Sequence, residues 1–115
     1  VIDEEWARCV PWLQAALDRG GTQGFSLDEV KQRVLEGRAH FWPGHTSAGV
    51  SEITGGLHLW LFGGERKEMW AMERAVSDWA RDHGLSRVTI KGRKGWERVL
   101  APIGYRPETL LVKDL

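Results

Sequence analysis

The sequence predicts a mixed α/β domain, of the α+β kind, with elements in the order α-α-β-β-β-α-β-α-β. Three observations predict it. Apolar residues recur at helical spacing up to residue 35, the spacing switches to period two from Ala39, and a strand apolar on both faces at 57–62 runs into a long amphipathic helix. A chain of 115 residues buries one core of ordinary size. No repeat, low-complexity tract or linker divides it, so one domain over residues 1–115 is expected.

Asp3 is a candidate N-cap for the first helix, whose apolar positions are Trp6, Cys9 or Val10, Leu13 and Leu17. Pro11 either kinks this helix or opens a second piece as a first-turn proline, and Gly20-Gly21 ends it. Ser26-Leu27-Asp28-Glu29 has the spacing of a capping box, a hydroxyl acceptor followed three residues later by a carboxylate. The helix it opens carries Val30, Val34 and Leu35 on one face and stops at Gly37. Ala39–Trp42 reads as a short strand turned by Pro43-Gly44, and Ala48–Thr54 as a second closed by Gly55-Gly56. In Leu57-His58-Leu59-Trp60-Leu61-Phe62, strict alternation puts the three leucines on one face and His58, Trp60 and Phe62 on the other. Both faces are bulky, which places this strand at the centre of a sheet covered on both sides.

Gly63-Gly64 follows, then a helix from Glu65 to His83 with Met69, Met72, Val76, Trp79 and Ala80 as its apolar face and Gly84 as its stop. Arg87–Ile90 is the next strand and Lys91–Gly95 a basic loop. Trp96–Ile103 is a short helix ended by Gly104, and Thr109–Lys113 closes the chain as a strand.

Composition narrows the function classes. Sixteen basic residues balance sixteen acidic ones, which argues against non-specific nucleic-acid binding. The exception is local: Lys91, Arg93, Lys94 and Arg98 cluster around Gly92 and Gly95, and could meet a phosphate group, nucleic acid or an acidic protein, or form a solvated loop. No apolar run approaches the roughly 18 residues of a membrane span, and the acidic start lacks the character of a signal peptide, so no membrane partner is expected. Cys9 is the single cysteine, which points to a reducing cytosol. The four histidines and Cys9 show no zinc-ligand spacing, so no metal is expected. Walker, nucleophile-elbow and dinucleotide patterns are missing as well. Seven tryptophans read mainly as core, with one or two open to an interface role.

The order of elements and several local phrases resemble the GNAT superfamily of N-acetyltransferase-like proteins. There, antiparallel strands lead to a central strand, a phosphate-binding turn, a long helix, a parallel strand, a short helix and a last strand. The matching pieces are LHLWLF, GGERKE, MWAMERAVSDWARDHG, RVTI and GWERVLAPIGYRPETLLVKDL, with the Gly104-Tyr105 pair in the Gly-aromatic place. More narrowly, GRAHFWPG, GRKGWERVL and the Gly-Tyr ending resemble small GNAT-like proteins encoded in bacteriophage and prophage genomes. The resemblance implies a GNAT-like mixed central sheet and a place for acetyl-CoA or CoA. It also implies residence in a bacterial host cytoplasm or a virion, and phage proteins as partners.

At the implied cofactor turn, Gly63 and Gly64 would let the backbone approach phosphates, and a helix N-terminus offers free N–H groups and partial positive charge. Arg66 and Lys67 would add positive charge, whereas Glu65 and Glu68 would oppose a pyrophosphate and suit a ligand-free helix start. The turn lacks the Gln/Arg-x-x-Gly-x-Gly/Ala spacing common in active GNAT enzymes. The tyrosine that in many of them protonates the departing thiolate corresponds to Leu100, and an asparagine often found seven residues earlier corresponds to Arg93. Tyr105 occupies a place that is usually a packed aromatic. An amine acceptor also needs a base, for which Glu52 and His58 are the candidates, each with an alternative as an ordinary strand side chain. Two readings follow: a non-catalytic binding or virion-associated module with a degenerate acetyl-CoA signature, or an acetyl-CoA-dependent N-acyltransferase acting on a protein or small-molecule amine.

Overall fold

A computed structural model describes residues 2–19, 25–91, 96–107 and 111–115. Its elements are α1 (Ile2–Arg19), α2 (Leu27–Leu35), β1 (His40–Pro43), β2 (Ser47–Ile53), β3 (Leu57–Gly64), α3 (Arg66–Asp82), β4 (Arg87–Ile90), α4 (Trp96–Leu100), β5 (Arg106–Pro107) and β6 (Leu111–Asp114). The expected α/β class holds, and the expected element order gains one short strand, β5. The expected helix stop at Gly20-Gly21 and the expected strand start at Thr109 lie outside the described residues, as do Gly92, Arg93, Lys94 and Gly95.

Local signals account for most helix boundaries. Ser26 Oγ accepts from the Glu29 amide at 3.2 Å while Glu29 Oε1 accepts from the Ser26 amide at 3.4 Å, completing the expected capping box. Pro11 lies inside a continuous α1. The helix that begins at Trp96 is α-helical only to Leu100 and tightens to a 3-10 turn over Ala101–Ile103. Pro102 has no N–H to continue the α pattern, and Gly104, at φ 101°, ends the turn. Leu35 departs from the expected apolar face: it is 54% exposed, and Val30 and Val34 carry the packing of α2.

The six strands form one mixed sheet in the order β1-β2-β3-β4-β6-β5. Only β3 and β4 run parallel, which requires a crossover, and α3 supplies it. Helices α1 and α2 pack on one face through Trp6, Cys9, Leu13, Leu17 and Val30 against Ala48, Val50 and Leu61. On the other face α3 and α4 bury Met69, Met72, Val76, Ala80 and Leu100 against Leu57, Leu59, Phe62, Val88, Ile90 and Leu111.

That division corrects the expected alternation of β3. The β2–β3 register steps from Val50↔Leu61 to Ser51↔Leu59, so Trp60 is an extra residue, a β-bulge. The bulge inverts the pattern beyond it. Leu57 and Leu59 face α3, Leu61 faces α1, and Phe62 returns to the α3 side.

Candidate functional site

β3 is eight residues long, yet β4 pairs only with Leu57, His58 and Leu59. Beyond Leu59 and Ile90, where β4 ends, this pairing stops and leaves a crevice. In open α/β sheets such a crevice at the carboxyl ends of strands is where ligands bind. Here it holds a small cavity of about 30 Å³ between Trp60, Phe62, Lys91 and Trp96, with Ala16 of α1 across the opening. A second cavity of about 250 Å³ continues along Phe62–Gly64 beside Trp12, Ala16 and Arg19.

The glycine pair is not the separate turn that the sequence suggested. Gly63 and Gly64 are the last two residues of β3, paired with Ala48 and Ser47. Packing explains both. A Cβ on Gly63 would lie 2.8 Å from the Trp12 carbonyl oxygen, so this glycine lets α1 rest on the strand backbone. Gly64 has φ +125°, and a Cβ there would meet the Ser47 Cα at 2.3 Å. Arg66 and Lys67 stand exposed in the first turn of α3, whose N-cap Glu65 makes no side-chain cap.

Glu68 stands in the first turn of α3, as expected of a carboxylate that compensates the helix dipole, and it also has tertiary partners. Its Oε1 accepts from Ser47 Oγ at 2.6 Å and from the Thr46 amide at 3.0 Å, fastening α3 to the β1–β2 turn. These hydrogen bonds, Ser47's first, hold its carboxyl down at about 2.

The two base candidates are brought together. Glu52 and His58 oppose each other directly in the β2–β3 register and so share the α1–α2 face. Around them the structure adds residues that the sequence did not single out. Arg33 Nη1 donates to Glu52 Oε2 at 3.3 Å, and its guanidinium lies 4.8 Å from the Phe25 ring centre and 5.4 Å from that of Trp60. His58 Nδ1 lies 2.9 Å from Thr89 Oγ1. Burial lowers the His58 pKa below its ordinary 6.5, and the Glu52 charge partly opposes this. A half-buried neutral imidazole beside a carboxylate is chemically suited to accept a proton. His58 and Gly63 are five residues apart on β3, roughly 17 Å at strand rise.

Leu100 and Tyr105, the positions that the resemblance set against a proton donor, are both packed inside. Leu100 is fully buried in the α3-side core. Tyr105 is buried too, and its hydroxyl donates to Glu73 Oε2 at 2.8 Å. Ser77 Oγ donates to the same oxygen at 2.8 Å, and Lys113 Nζ approaches it at 3.4 Å. Burial first, then the Glu73 charge, pushes the Tyr105 phenol far above its ordinary 10. The sequence signal for this network was available: Glu73 and Ser77 interrupt the stripe of Met69, Met72, Val76 and Ala80 on α3.

Of the expected basic cluster, Lys91 and Arg98 are exposed. Arg93 and Lys94 lie outside the described residues. Trp6 is buried, and the other six tryptophans are half-buried against one or the other core. A concave surface of about 840 Å³ wraps the β1 edge between Val34, Phe41, Ile53 and Trp79 and reaches the base candidates only at Glu52. Size alone does not make it the better site, because His58 and the crevice beyond the β3–β4 pairing lie elsewhere. Among the described residues no His, Cys, Asp or Glu group could hold a metal ion, and no helix is long and apolar enough to cross a membrane. No family model, curated protein or solved structure matches this chain.

Proposed function

We propose that this chain is a GNAT-like scaffold working as a binding module that does not transfer acyl groups. The observation that carries the reading is the fate of the proton-donor chemistry: Leu100 is buried, and Tyr105, the one tyrosine of the chain, is locked onto Glu73. The scaffold half of the proposal is supported by the antiparallel run β1-β2-β3, the long helix α3, the parallel β4, the short α4 and the last strand β6, which follow the order typical of that superfamily. The use of Gly63 and Gly64 for contacts with α1 and β2 also speaks for a glycine segment serving structure. In this reading the partner is a protein, the chain belongs to a phage or prophage, and it works in the bacterial host cytoplasm or in the virion. Phage structural genes beside its own gene would support that placement.

A second reading, an acetyl-CoA-dependent N-acyltransferase, is favoured by the pairing of Glu52 with His58 on one face and by the crevice between β3 and β4. There, Gly63, Gly64, Arg66 and Lys67 would hold the carrier's phosphates, and Glu52 and His58 would deprotonate the amine. Titration calorimetry with acetyl-CoA and CoA, with thiol release measured over a panel of amines and peptides, separates the two. The binding-module reading expects no thiol release above background. Turnover abolished by Glu52→Gln or His58→Asn would overturn it in favour of the enzyme.

A further inference from the structure

The Glu73 network forms the floor of a separate cavity. A space of about 520 Å³ lies between α3 and the segment from α4 through Ile103, within the usual range for small-molecule sites. Its apolar walls are Trp70, Val99 and Ile103. Among the described residues, Arg74, Arg81 and Lys113 line it together with two carboxylates, Glu73 and Asp78. Arg81 is paired with Asp78 at 2.9 Å, and Lys113 shares Glu73 with two hydroxyl groups. Arg74 has no hydrogen-bond or ion-pair partner among the described residues.

Two cations therefore reach this cavity with spare donors. An ammonium carries three N–H groups, and among the described residues Lys113 Nζ meets one oxygen, that of Glu73 at 3.4 Å, and lies 5.8 Å from the centre of the Tyr105 ring. The guanidinium of Arg74, with five donors, has no partner among the described residues. An apolar wall facing two under-used cations selects a ligand that is apolar at one end and anionic at the other. The floor adds shape: Glu73, Ser77 and Tyr105 are fixed by mutual hydrogen bonds, so the lysine is presented from a rigid base.

We propose that the cavity between α3 and the α4–Ile103 segment binds a small carboxylate with an apolar body, its charge held by Arg74 and Lys113 and its body set between Trp70, Val99 and Ile103. This site lies on the face of the sheet opposite Glu52 and His58 and does not depend on the reading of either. Magnetic resonance of isotope-labelled tryptophan indoles tests it, with phenylacetate as probe, phenylacetamide as neutral control and Trp70→Phe to assign the Trp70 signal. Phenylacetate should move the Trp70 indole signal saturably, and phenylacetamide should bind roughly tenfold more weakly because it lacks the charge-assisted hydrogen bonds. Arg74→Gln, an exposed helix position that leaves folding intact, should weaken phenylacetate by roughly fivefold to tenfold. No saturable shift by about 20 mM, beyond the weak-fragment range, would overturn the proposal. Equal binding of acid and amide, or an Arg74→Gln variant that binds like the parent, would do the same.

Discussion

Glu52 and Glu73 lie on opposite sides of one sheet, each beside a cation, and the two neighbourhoods behave differently because one is closed. Glu52 is 20% exposed and its partner Arg33 30%, so solvent screens the pair and the half-buried His58 beside it keeps a chemistry that can change with pH. Glu73 is 3% exposed and its partner Lys113 15%, with Ser77 and Tyr105 completing its hydrogen bonds. The same residue types make an addressable site when half open and a structural joint when closed. Proton exchange with solvent is therefore expected on the α1–α2 face. The α3 face is expected to answer for stability, and for binding in the cavity above the joint.

The largest effect that would break this contrast is the loss of Glu73. Glu73→Ala leaves Lys113 without its partner beside a core and strips Ser77 and Tyr105 of their acceptor. Breaking a buried pair from one side costs about 3–5 kcal/mol. Glu52→Ala, in the screened pair, should cost less than about 1 kcal/mol. Urea denaturation of both variants measures the difference, and equal losses would remove the distinction between the two faces. Tyr105→Phe comes next. It removes one donor to Glu73 and should cost about 1–2 kcal/mol by the same measurement. The native protein should also show no tyrosinate absorbance until it unfolds in alkali, because burial and the Glu73 charge both hold the phenol protonated.

The contrast also explains what could be read without coordinates. Helix boundaries set by local chemistry were legible: Ser26 with Glu29, Gly84 and Gly104 each act within a turn of where they stand. The two-sided burial of β3 was legible from Leu57–Phe62, but its register was not. The bulge at Trp60 arises from pairing with β2, a partner that a strand's own alternation does not specify. Glu52 and His58 were each legible as candidates, whereas their opposition depends on strand pairing and the Arg33 cage on where α2 lands. Glu68 is the clearest case of a tertiary partner added to a local expectation. Its place in the first turn of α3 was legible, whereas its hydrogen bonds to the β1–β2 turn depend on where that turn lands.

Glu68 gives a smaller effect with a defined sign. Its carboxyl is held from an ordinary 4.5 down to about 2 in the folded protein. A lowered folded value means that the unfolded chain takes the proton first, so the contribution is complete above 4.5 and is lost as pH falls towards 2. Glu68→Gln should therefore lower the thermal midpoint at neutral pH and have a progressively smaller effect in acid. An unchanged difference between the variant and the parent across that window would mean that Ser47 and Thr46 do not hold the carboxylate.

The smallest expected effect is the most informative about the α1–α2 face. His58 has a folded pKa below 6.5 because burial disfavours the imidazolium, while the Glu52 charge works in the opposite sense. Above 6.5 neither folded nor unfolded His58 is charged, and stability is unaffected. Below 6.5 the unfolded chain protonates first, so this residue withdraws stability as pH falls. Glu52→Gln keeps the shape and removes the opposing charge, so the His58 midpoint should fall further, and its ring resonances in a pH titration would report it. A midpoint that rises or stays fixed would mean that the two side chains do not sense each other across the β2–β3 pair. The base candidates would then be two separate strand residues, and the acyltransferase reading would lose the observation that favours it most.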